Sequence, residues 1–270
     1  MNKVLVTIGP VSIYWYSVLI LIAIILGSSI ADKYARGQNI PSNTISDMLL
    51  GLVISAIIGA RIYFVIFNFF AYSNNLIDIF KIWEGGLAIY GGIIAGTLYI
   101  LNYCIKHKLS FIKMLDICSL SLLLGQAIGR WGNFFNQEAY GRITTKAHLE
   151  SLHIPDFIIK GMYIDASYRM PTFLYESLWC LIGVLILLYI RKRKSNIDGK
   201  QICFYMIWYG IGRFIIESMR TDSLYIGKYR ISMIVSLLLI VGGIIGNIII
   251  YLKKRYKRTT IHVGGNNGRI

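Results

Sequence analysis

Seven long apolar runs recur along the 270-residue chain, and they constrain its fold more than any other feature. Each run holds between 18 and 23 residues, which is the length that an α-helix needs to cross the hydrocarbon core of a bilayer. The runs are residues 11–31, 46–68, 87–105, 112–129, 173–190, 201–219, and 230 or 231 to 252. Because hydrophobic residues make up 56% of the chain and charged residues only 15%, we predict an all-α polytopic membrane protein with seven transmembrane helices.

Residues 142–171 interrupt this pattern with a polar segment that contains Pro155 and Pro171. The segment is too long to be a simple connector, so we expect a small folded head at the membrane surface. The predicted organisation is a single seven-helix membrane domain over residues 1–252, with the head as an insertion. A basic cytoplasmic tail is predicted over residues 253–270.

The formal net charge of +15 is concentrated beside the apolar runs. Its densest parts, residues 191–194 and 253–258, are typical of cytoplasmic flanks that face anionic lipid, which argues against nucleic-acid binding. Lys and Arg number sixteen on the side that holds the tail and nine on the opposite side. The positive-inside rule therefore predicts an outside N-terminus, a cytoplasmic C-terminus and an outward-facing head. Because Lys33 and Arg36 follow the first run, we interpret that run as a retained helix rather than a signal peptide.

The cysteines and histidines show no pattern of a disulfide or metal site. Cys104, Cys118, Cys180 and Cys203 lie in or beside apolar runs and form no CxxC pair, as expected of small buried side chains. The four histidines fall in loops, the head or the tail, and none has the spacing of zinc ligands. We therefore expect no metal site.

Residues 125–141, GQAIGRWGNFFNQEAYG, place polar side chains among glycines and aromatic residues at the end of the fourth run. The Arg130 guanidinium offers a fork of donors suited to phosphate or carboxylate. Asn133 and Asn136 can orient a neighbour without adding charge. No acidic residue lies within a helical turn of Arg130, and Glu138 is the nearest in sequence. An arginine at a helix end can simply extend to lipid headgroups, but the surrounding glycines favour an anion-binding site.

A second cluster lies in the sixth run, where Arg213, Glu217 and Arg220 recur at i, i+4 and i+7. They share one helical face with Tyr209. Ionisable groups in apolar runs cost roughly 2.5–3.5 kcal/mol on insertion scales, so each is a functional candidate. One glutamate cannot neutralise two arginines, which leaves room for an anionic ligand. For Glu217 itself, an ion pair that only orients the helices is an equally good interpretation.

A third cluster, residues 84–92, places two glycine pairs around Tyr90. The glycines allow either close helix packing or a cavity that holds the Tyr90 hydroxyl, and the residues alone do not choose between the two. Arg61 in the second run is predicted either to pair with Asp116 or Glu176 or to contact a ligand.

Together the three clusters resemble the prolipoprotein diacylglyceryl transferases. The signature of that family, Gly-Arg-x-Gly-Asn-Phe-x-Asn-x-Glu-x-x-Gly, matches residues 129–141 at every specified position. The resemblance extends over nearly the whole chain and also covers Tyr16, residues 59–61, residues 174–176 and residues 209–220. At one position the sequence departs from the pattern, because Tyr90 stands where many relatives carry a histidine that has been proposed as a base.

The resemblance implies transfer of the diacylglyceryl group of phosphatidylglycerol to the lipobox cysteine thiol of a prolipoprotein, in the bacterial plasma membrane and without a cofactor. It implies Arg130 and Arg213 as catalytic cations at the headgroup phosphate, or one of them at the leaving group. One of three tyrosines, Tyr90, Tyr16 or Tyr209, would orient the substrate or receive the thiol proton, although an unperturbed tyrosine pKa of about 10 makes it a poor base. The phosphatidylglycerol site would also contain Asn133, Asn136 and Gly141, supported by Glu138, Glu217, Arg220 and Arg61.

A membrane transporter or scramblase for an anionic lipid or solute is the alternative, since such a protein could use the same arginines. The first three and the last three runs share no motif at matching positions. This weighs against the inverted repeats of many transporters, and the transferase interpretation leads.

Overall fold

The structure, a computed structural model, describes residues 2–9, 11–38, 40–73, 75–192 and 198–264. Residues 193–194 of the predicted basic flank and residues 265–270 of the predicted tail lie outside these ranges. The chain divides into two compact units, which we call the large unit (residues 1–27 and 116–270) and the small unit (residues 28–115).

Helices dominate the described residues. They are α1 (Trp15–Arg36), α2 (Thr44–Phe67), α3 (Phe69–Tyr72), α4 (Ile89–Lys106), α5 (Phe111–Asn136), α6 (Lys146–Ser151), α7 (Asp156–Gly161), α8 (Thr172–Lys192), α9 (Lys200–Met219) and α10 (Ile231–Gly264), with 3-10 turns at Leu76–Phe80 and Ile82–Glu84. The strands are short: β1 (Val4–Ile8), β2 (Val11–Tyr14), β3 (Ile143–Thr144), β4 (Tyr163–Ile164), β5 (Ser167–Arg169), β6 (Tyr225–Ile226) and β7 (Tyr229–Arg230).

Within the described ranges, five helices are long and apolar enough to cross a bilayer: α1, α2, α5, α8 and, over Ile231–Tyr256, α10. The prediction of a mostly helical polytopic membrane protein is therefore confirmed. The helices α4 and α9, which match the third and sixth apolar runs, are not among the five. Polar residues interrupt both, since α9 contains Arg213 and Glu217 and α4 contains Asn102.

Three boundaries differ from the sequence prediction. The first helix begins at Trp15 because residues 11–14 form β2, which pairs antiparallel with β1. The helix α5 continues to Asn136, so most of the glycine-rich stretch is helical rather than a helix end. The helix α10 extends to Gly264, so the predicted tail begins as helix.

In the small unit, α2 and α4 approach each other closely at glycines. A Cβ atom at Gly91 would collide with the carbonyl oxygen of Gly59, and one at Gly59 would collide with Ala95. A Cβ atom at Gly92 would lie 3.3 Å from the carbonyl oxygen of Ala56. Of the two interpretations of the glycines that follow Tyr90, close helix packing is therefore confirmed.

In the large unit, a reciprocal pair of tryptophans joins α8 to α9. The indole N–H groups of Trp179 and Trp208 each donate to the other residue's backbone carbonyl at 2.9 Å, and the two rings stack at 4.3 Å. The Trp179 ring also packs on Gly212 of α9, and the Trp208 ring packs on Gly183 of α8. This packing fixes the register of the two helices and so places the acidic residue of α8 beside the arginine of α9.

Asp116 on α5 stabilises the start of α9. Its carboxylate accepts hydrogen bonds from the backbone N–H groups of Gly199 at 2.6 Å and Ile202 at 2.8 Å. A negative charge at a helix N-terminus satisfies free N–H groups and offsets the helix dipole. The buried charge of Asp116 thus has a structural explanation.

Residues 142–171 are folded, as predicted, into a three-stranded antiparallel sheet of order β3-β5-β4 with α6 and α7. Buried residues of this head, among them Leu149 and Ile159, form one core with Phe134 of α5 and Phe173 of α8. The rings of Phe134 and Phe173 stack at 4.6 Å. Because the core is shared, the head fixes the adjoining ends of α5 and α8. These two helices carry Arg130 and Glu176.

Candidate active site

The centre of the site is the carboxylate of Glu176 on α8, which lies between arginines from two other helices. Its Oε1 atom is 2.9 Å from Nη2 of Arg130 on α5, and its Oε2 atom is 3.2 Å from Nη1 of Arg213 on α9. The Glu176 side chain is 3% exposed, and the two arginine side chains are 18% and 13% exposed. One buried carboxylate thus holds two guanidinium groups close together.

The polar stripe of α9 is ordered by Glu217, whose side chain is 1% exposed. Its Oε2 atom is 2.6 Å from Nη2 of Arg213 and 4.0 Å from Nε of Arg220. Its backbone carbonyl accepts a hydrogen bond from Arg230, and Arg213 also donates to the Ser232 hydroxyl at 3.4 Å. The ion pair predicted from the i, i+4 spacing is present, and Arg230 of β7 and Ser232 at the start of α10 complete the cluster.

Glu176 and Glu217 both face Arg213, so the site carries less excess positive charge than the sequence indicates. No acidic residue lies within a helical turn of Arg130, but Glu176 pairs with it from another helix. The expected shortage of acidic partners for the α9 stripe is wrong, because Glu176 is a second one. Glu176 is an acidic residue in the fifth apolar run, where a charge is costly, but its partners depend on how α8 packs.

A relay of amides connects Arg130 to the end of α5. Arg130 Nη1 donates to Asn133 Oδ1 at 3.1 Å, and Asn133 Nδ2 donates to Glu138 Oε1 at 2.8 Å. Asn136 Nδ2 donates to the same carboxylate oxygen at 3.3 Å. Glu138 therefore holds both predicted headgroup residues and reaches Arg130 only through Asn133.

The loop after α5 is held in a strained conformation by two other segments. Ala139 has a φ of 58°, in the left-handed region that disfavours residues with a Cβ atom. Its N–H donates to Asp222 Oδ2 at 3.1 Å, and its carbonyl accepts from the Thr172 hydroxyl at 2.5 Å. Gly141 follows and forms a β-bridge with Arg220. These contacts fix the signature loop against the end of α9 and the start of α8.

Asp222 connects this loop to the arginine stripe. Its carboxylate accepts two hydrogen bonds from Arg220, from Nε and Nη2, each at 2.9 Å. Burial acts to raise the pKa of Asp222, but the hydrogen bonds and charge of Arg220 outweigh it and hold the pKa below its ordinary value. Asp222 is therefore ionised at neutral pH. Sequence reasoning did not single out Asp222, although its position two residues after Arg220 was a visible signal.

The three tyrosine candidates have different surroundings. Tyr209 interacts electrostatically with Arg130, Arg213 and Glu176. Tyr16 on α1 packs against Gly132, where a Cβ atom would collide with its ring, and it is 38% exposed. Tyr90 belongs to the small unit and is the second residue of α4.

Arg61, in the small unit, has a structural role in the loop before α4. It donates five hydrogen bonds to backbone carbonyls of this loop: Nε to Ile79, Nη1 to Gly85 and Gly86, and Nη2 to Asp78 and Lys81, at 2.7 to 3.4 Å. Gly85 and Gly86 have φ values of 93° and 75°, a conformation that glycine adopts freely. The predicted pairing of Arg61 with Asp116 or Glu176 is wrong, because carbonyls occupy all three of its side-chain nitrogen atoms.

This arrangement is suited to binding an anion and stabilising negative charge. Two guanidinium groups converge on Glu176, with amides and tyrosines around them, in a site largely shielded from water. Electrostatic interactions are stronger there than in bulk water. In the described parts of the chain, no group of three or more His, Cys, Asp and Glu side chains is clustered as metal ligands are.

Comparison with known proteins agrees with this chemistry. A family model described as "Prolipoprotein diacylglyceryl transferase" matches residues 3–249. The chain is 49% identical to the phosphatidylglycerol–prolipoprotein diacylglyceryl transferase of Streptococcus equi subsp. zooepidemicus (strain H70), over 96% of this chain and 97% of that protein. It is 48% identical to the protein of the same name from Listeria monocytogenes serotype 4b (strain CLIP80459), over 94% of this chain and 91% of that protein.

Proposed function

The chain belongs to the prolipoprotein diacylglyceryl transferase family, and we propose that Arg130 and Arg213 hold the lipid phosphate in its reaction. The protein is a transferase of the bacterial plasma membrane that moves the diacylglyceryl group of phosphatidylglycerol to prolipoproteins. The observation that carries the assignment of residues is the buried Glu176 carboxylate, which holds the two guanidinium groups together.

The acceptor in this proposal is the lipobox cysteine of the prolipoprotein. Its sulfur forms a bond to the terminal glyceryl carbon while the bond from that carbon to the phosphate oxygen breaks. The thiol loses a proton, and glycerol phosphate leaves with both electrons of the broken bond. The phosphate diester carries one negative charge and the departing monoester carries two, so negative charge develops where the arginines lie. Donors fixed in a water-poor site stabilise such a charge without having to reorganise.

The remaining polar residues shape the lipid site. Asn133 and Asn136, held by Glu138, face the headgroup. Gly141 is assigned to the same site by the family signature, and its own contacts are structural, because a Cβ atom there would lie 2.8 Å from Met170 and 3.0 Å from Thr172. Tyr209 stands among the charged groups and orients the lipid phosphate or the incoming thiol. Tyr16 and Tyr90 are the other candidates for the proton acceptor. Glu217 and Arg220 support Arg213.

We further propose that α4 and α9 cross the bilayer together with the five strongly apolar helices, which gives seven spans. Lys and Arg outside the spans number sixteen on one side of this arrangement and nine on the other, and the positive-inside rule assigns the richer side to the cytoplasm. The N-terminus and the head then lie outside, where secreted prolipoproteins emerge. In this proposal Arg61 stabilises the loop before α4 in the small unit and does not take part in the transfer reaction.

The proposal is tested by incubating the purified protein with phosphatidylglycerol and a synthetic lipobox peptide. We expect the mass of the peptide to increase by one diacylglyceryl group, and a peptide with serine in place of cysteine to remain unchanged. Anion or lipid flux in proteoliposomes without any thioether product would instead support the transporter or scramblase alternative.

A further inference from the structure

A polar pair lies in the large unit one helical turn from Arg130 and Tyr209. Gln126 precedes Arg130 by four residues on α5, and Tyr205 precedes Tyr209 by four residues on α9. Gln126 Nε2 donates to the Tyr205 hydroxyl at 2.9 Å, and the rings of Tyr205 and Tyr209 are nearly parallel at 5.8 Å. The polar interior therefore continues about 6 Å along the helices beyond the arginines.

The amide of Gln126 is only partly satisfied. Its Oε1 atom is buried and has no hydrogen-bond partner among the residues that the structure describes. Turning the amide by half a rotation would exchange oxygen and nitrogen, and Nε2 would then be the atom without a partner. In either orientation one buried amide atom is available to a ligand, and a buried polar atom of this kind is destabilising unless something binds it.

Space for a ligand exists on the same helix. A Cβ atom added at Gly125 would meet no described side chain within 4 Å, and one at Gly129 would meet Ile20 Cδ1 at 3.7 Å. Gly132, one turn further on, is instead closed by the ring of Tyr16. These three glycines share one face of α5, next to the face that carries Gln126 and Arg130. That glycine face is open at the level of Gln126 and closed beyond Arg130.

We propose that Gln126, held by Tyr205, binds a hydroxyl of the glycerol headgroup of phosphatidylglycerol while the arginines hold its phosphate. A hydroxyl both donates and accepts, so it satisfies the amide in either orientation, whereas a thiol is only a weak donor. The three-carbon glycerol unit reaches from the phosphate over about one helical turn, which is the separation of Gln126 from Arg130. The inference rests on the proposed function and assigns Gln126 a part in selecting lipids with a headgroup hydroxyl.

The test compares phosphatidylglycerol with phosphatidylethanol of the same acyl chains, which keeps the phosphate and lacks the headgroup hydroxyls. For the purified full-length protein and its Gln126→Leu variant, kcat/KM is measured for phosphatidylglycerol, and phosphatidylethanol is titrated as a competitor. We expect Gln126→Leu to lower kcat/KM about tenfold and to leave the inhibition constant of phosphatidylethanol within about twofold. Asn247→Leu removes an amide that bonds to the backbone of its own helix and should change neither value.

An equal change for both lipids would overturn the inference, because Gln126 would then act through packing or through Tyr209. Tyr205→Phe tests the same subsite and should produce a smaller loss in the same direction, since it removes only the group that holds the amide. If Gln126→Leu does not fold, Gln126→Met keeps the length of the side chain and is measured instead. A wild-type protein that fails to convert phosphatidylglycerol would refute the proposed function, independently of the comparison between lipids.

Discussion

Arg61 is buried and Arg213 largely buried in apolar helices, but their partners differ in kind. Arg61 donates to five backbone carbonyls of one loop, and its side chain also lies over the ring of Tyr72 at 5.2 Å. Arg213 faces two carboxylates, and its contacts among the described residues come from Nη1 and Nη2. The two environments have different consequences for ligand binding.

Arg61 holds a loop in place by donating all of its side-chain hydrogen bonds to backbone carbonyls. An anion could bind Arg61 only by replacing these structural hydrogen bonds. Arg130 and Arg213 are instead paired with carboxylates. A phosphate can interact with these two guanidinium groups without replacing hydrogen bonds that hold a loop. The cost of a charge in a membrane segment therefore does not by itself identify a catalytic residue. The chemical nature of the partners separates a structural arginine from a functional one.

Substituting the site arginines by lysine should have the largest effect on activity. Arg130→Lys and Arg213→Lys keep a positive charge but lose the planar fork of donors, and we expect transfer to fall about 100- to 1000-fold. The rate of peptide lipidation measures this loss, and size-exclusion chromatography with thermal unfolding verifies the fold. Full activity in both variants would refute the proposed role of the arginines.

Substituting Arg61 should have its main effect on stability. Arg61→Met leaves five carbonyls without their donor, and we expect the free energy of unfolding to fall by about 3 kcal/mol or more. Thermal unfolding in detergent measures the change, and activity per folded molecule should remain within about threefold of wild type. A stable Arg61→Met protein without transferase activity would show that Arg61 is needed for the reaction. The type of partner would then not distinguish a structural arginine from a functional one.

Asp222 should have a moderate and pH-dependent effect. Its pKa is lowered in the folded protein, so its stabilising contribution is present above the unfolded value of about 3.9 and is lost as the pH falls through the lower folded value. The difference in unfolding temperature between wild type and Asp222→Asn should therefore be constant from about pH 5 to 8 and vanish in stronger acid. Because Asp222 is 42% exposed, we expect only about a threefold loss of activity. A difference that grows on acidification would contradict this assignment.

The smallest effect is expected at Tyr90. Tyr90→Phe should retain most of the activity if the residue serves the close packing of α4, whereas Tyr209→Phe removes a hydroxyl beside the arginines and should cost more. Parallel rate measurements on the two variants decide the order. A loss at Tyr90 as deep as that at Arg130 would make its hydroxyl catalytic.

The sequence predicts contacts within one helix better than contacts between helices. The Arg213–Glu217 pair follows from a spacing of four residues, and the apolar runs mark every long helix. The pairing of Glu176 with Arg130 depends on the register that Trp179 and Trp208 impose on α8 and α9. The partners of Arg61 could not be predicted at all, because backbone carbonyls leave no signal in residue type.

The central claim, that Arg130 and Arg213 hold the phosphate, is tested most directly by titrating glycerol phosphate into the purified protein and following binding by phosphorus NMR. We predict binding by the wild type and by Arg61→Lys, and an affinity at least about tenfold weaker for Arg130→Lys and Arg213→Lys. Equal affinity in all four proteins would contradict the assignment of the two arginines to the phosphate.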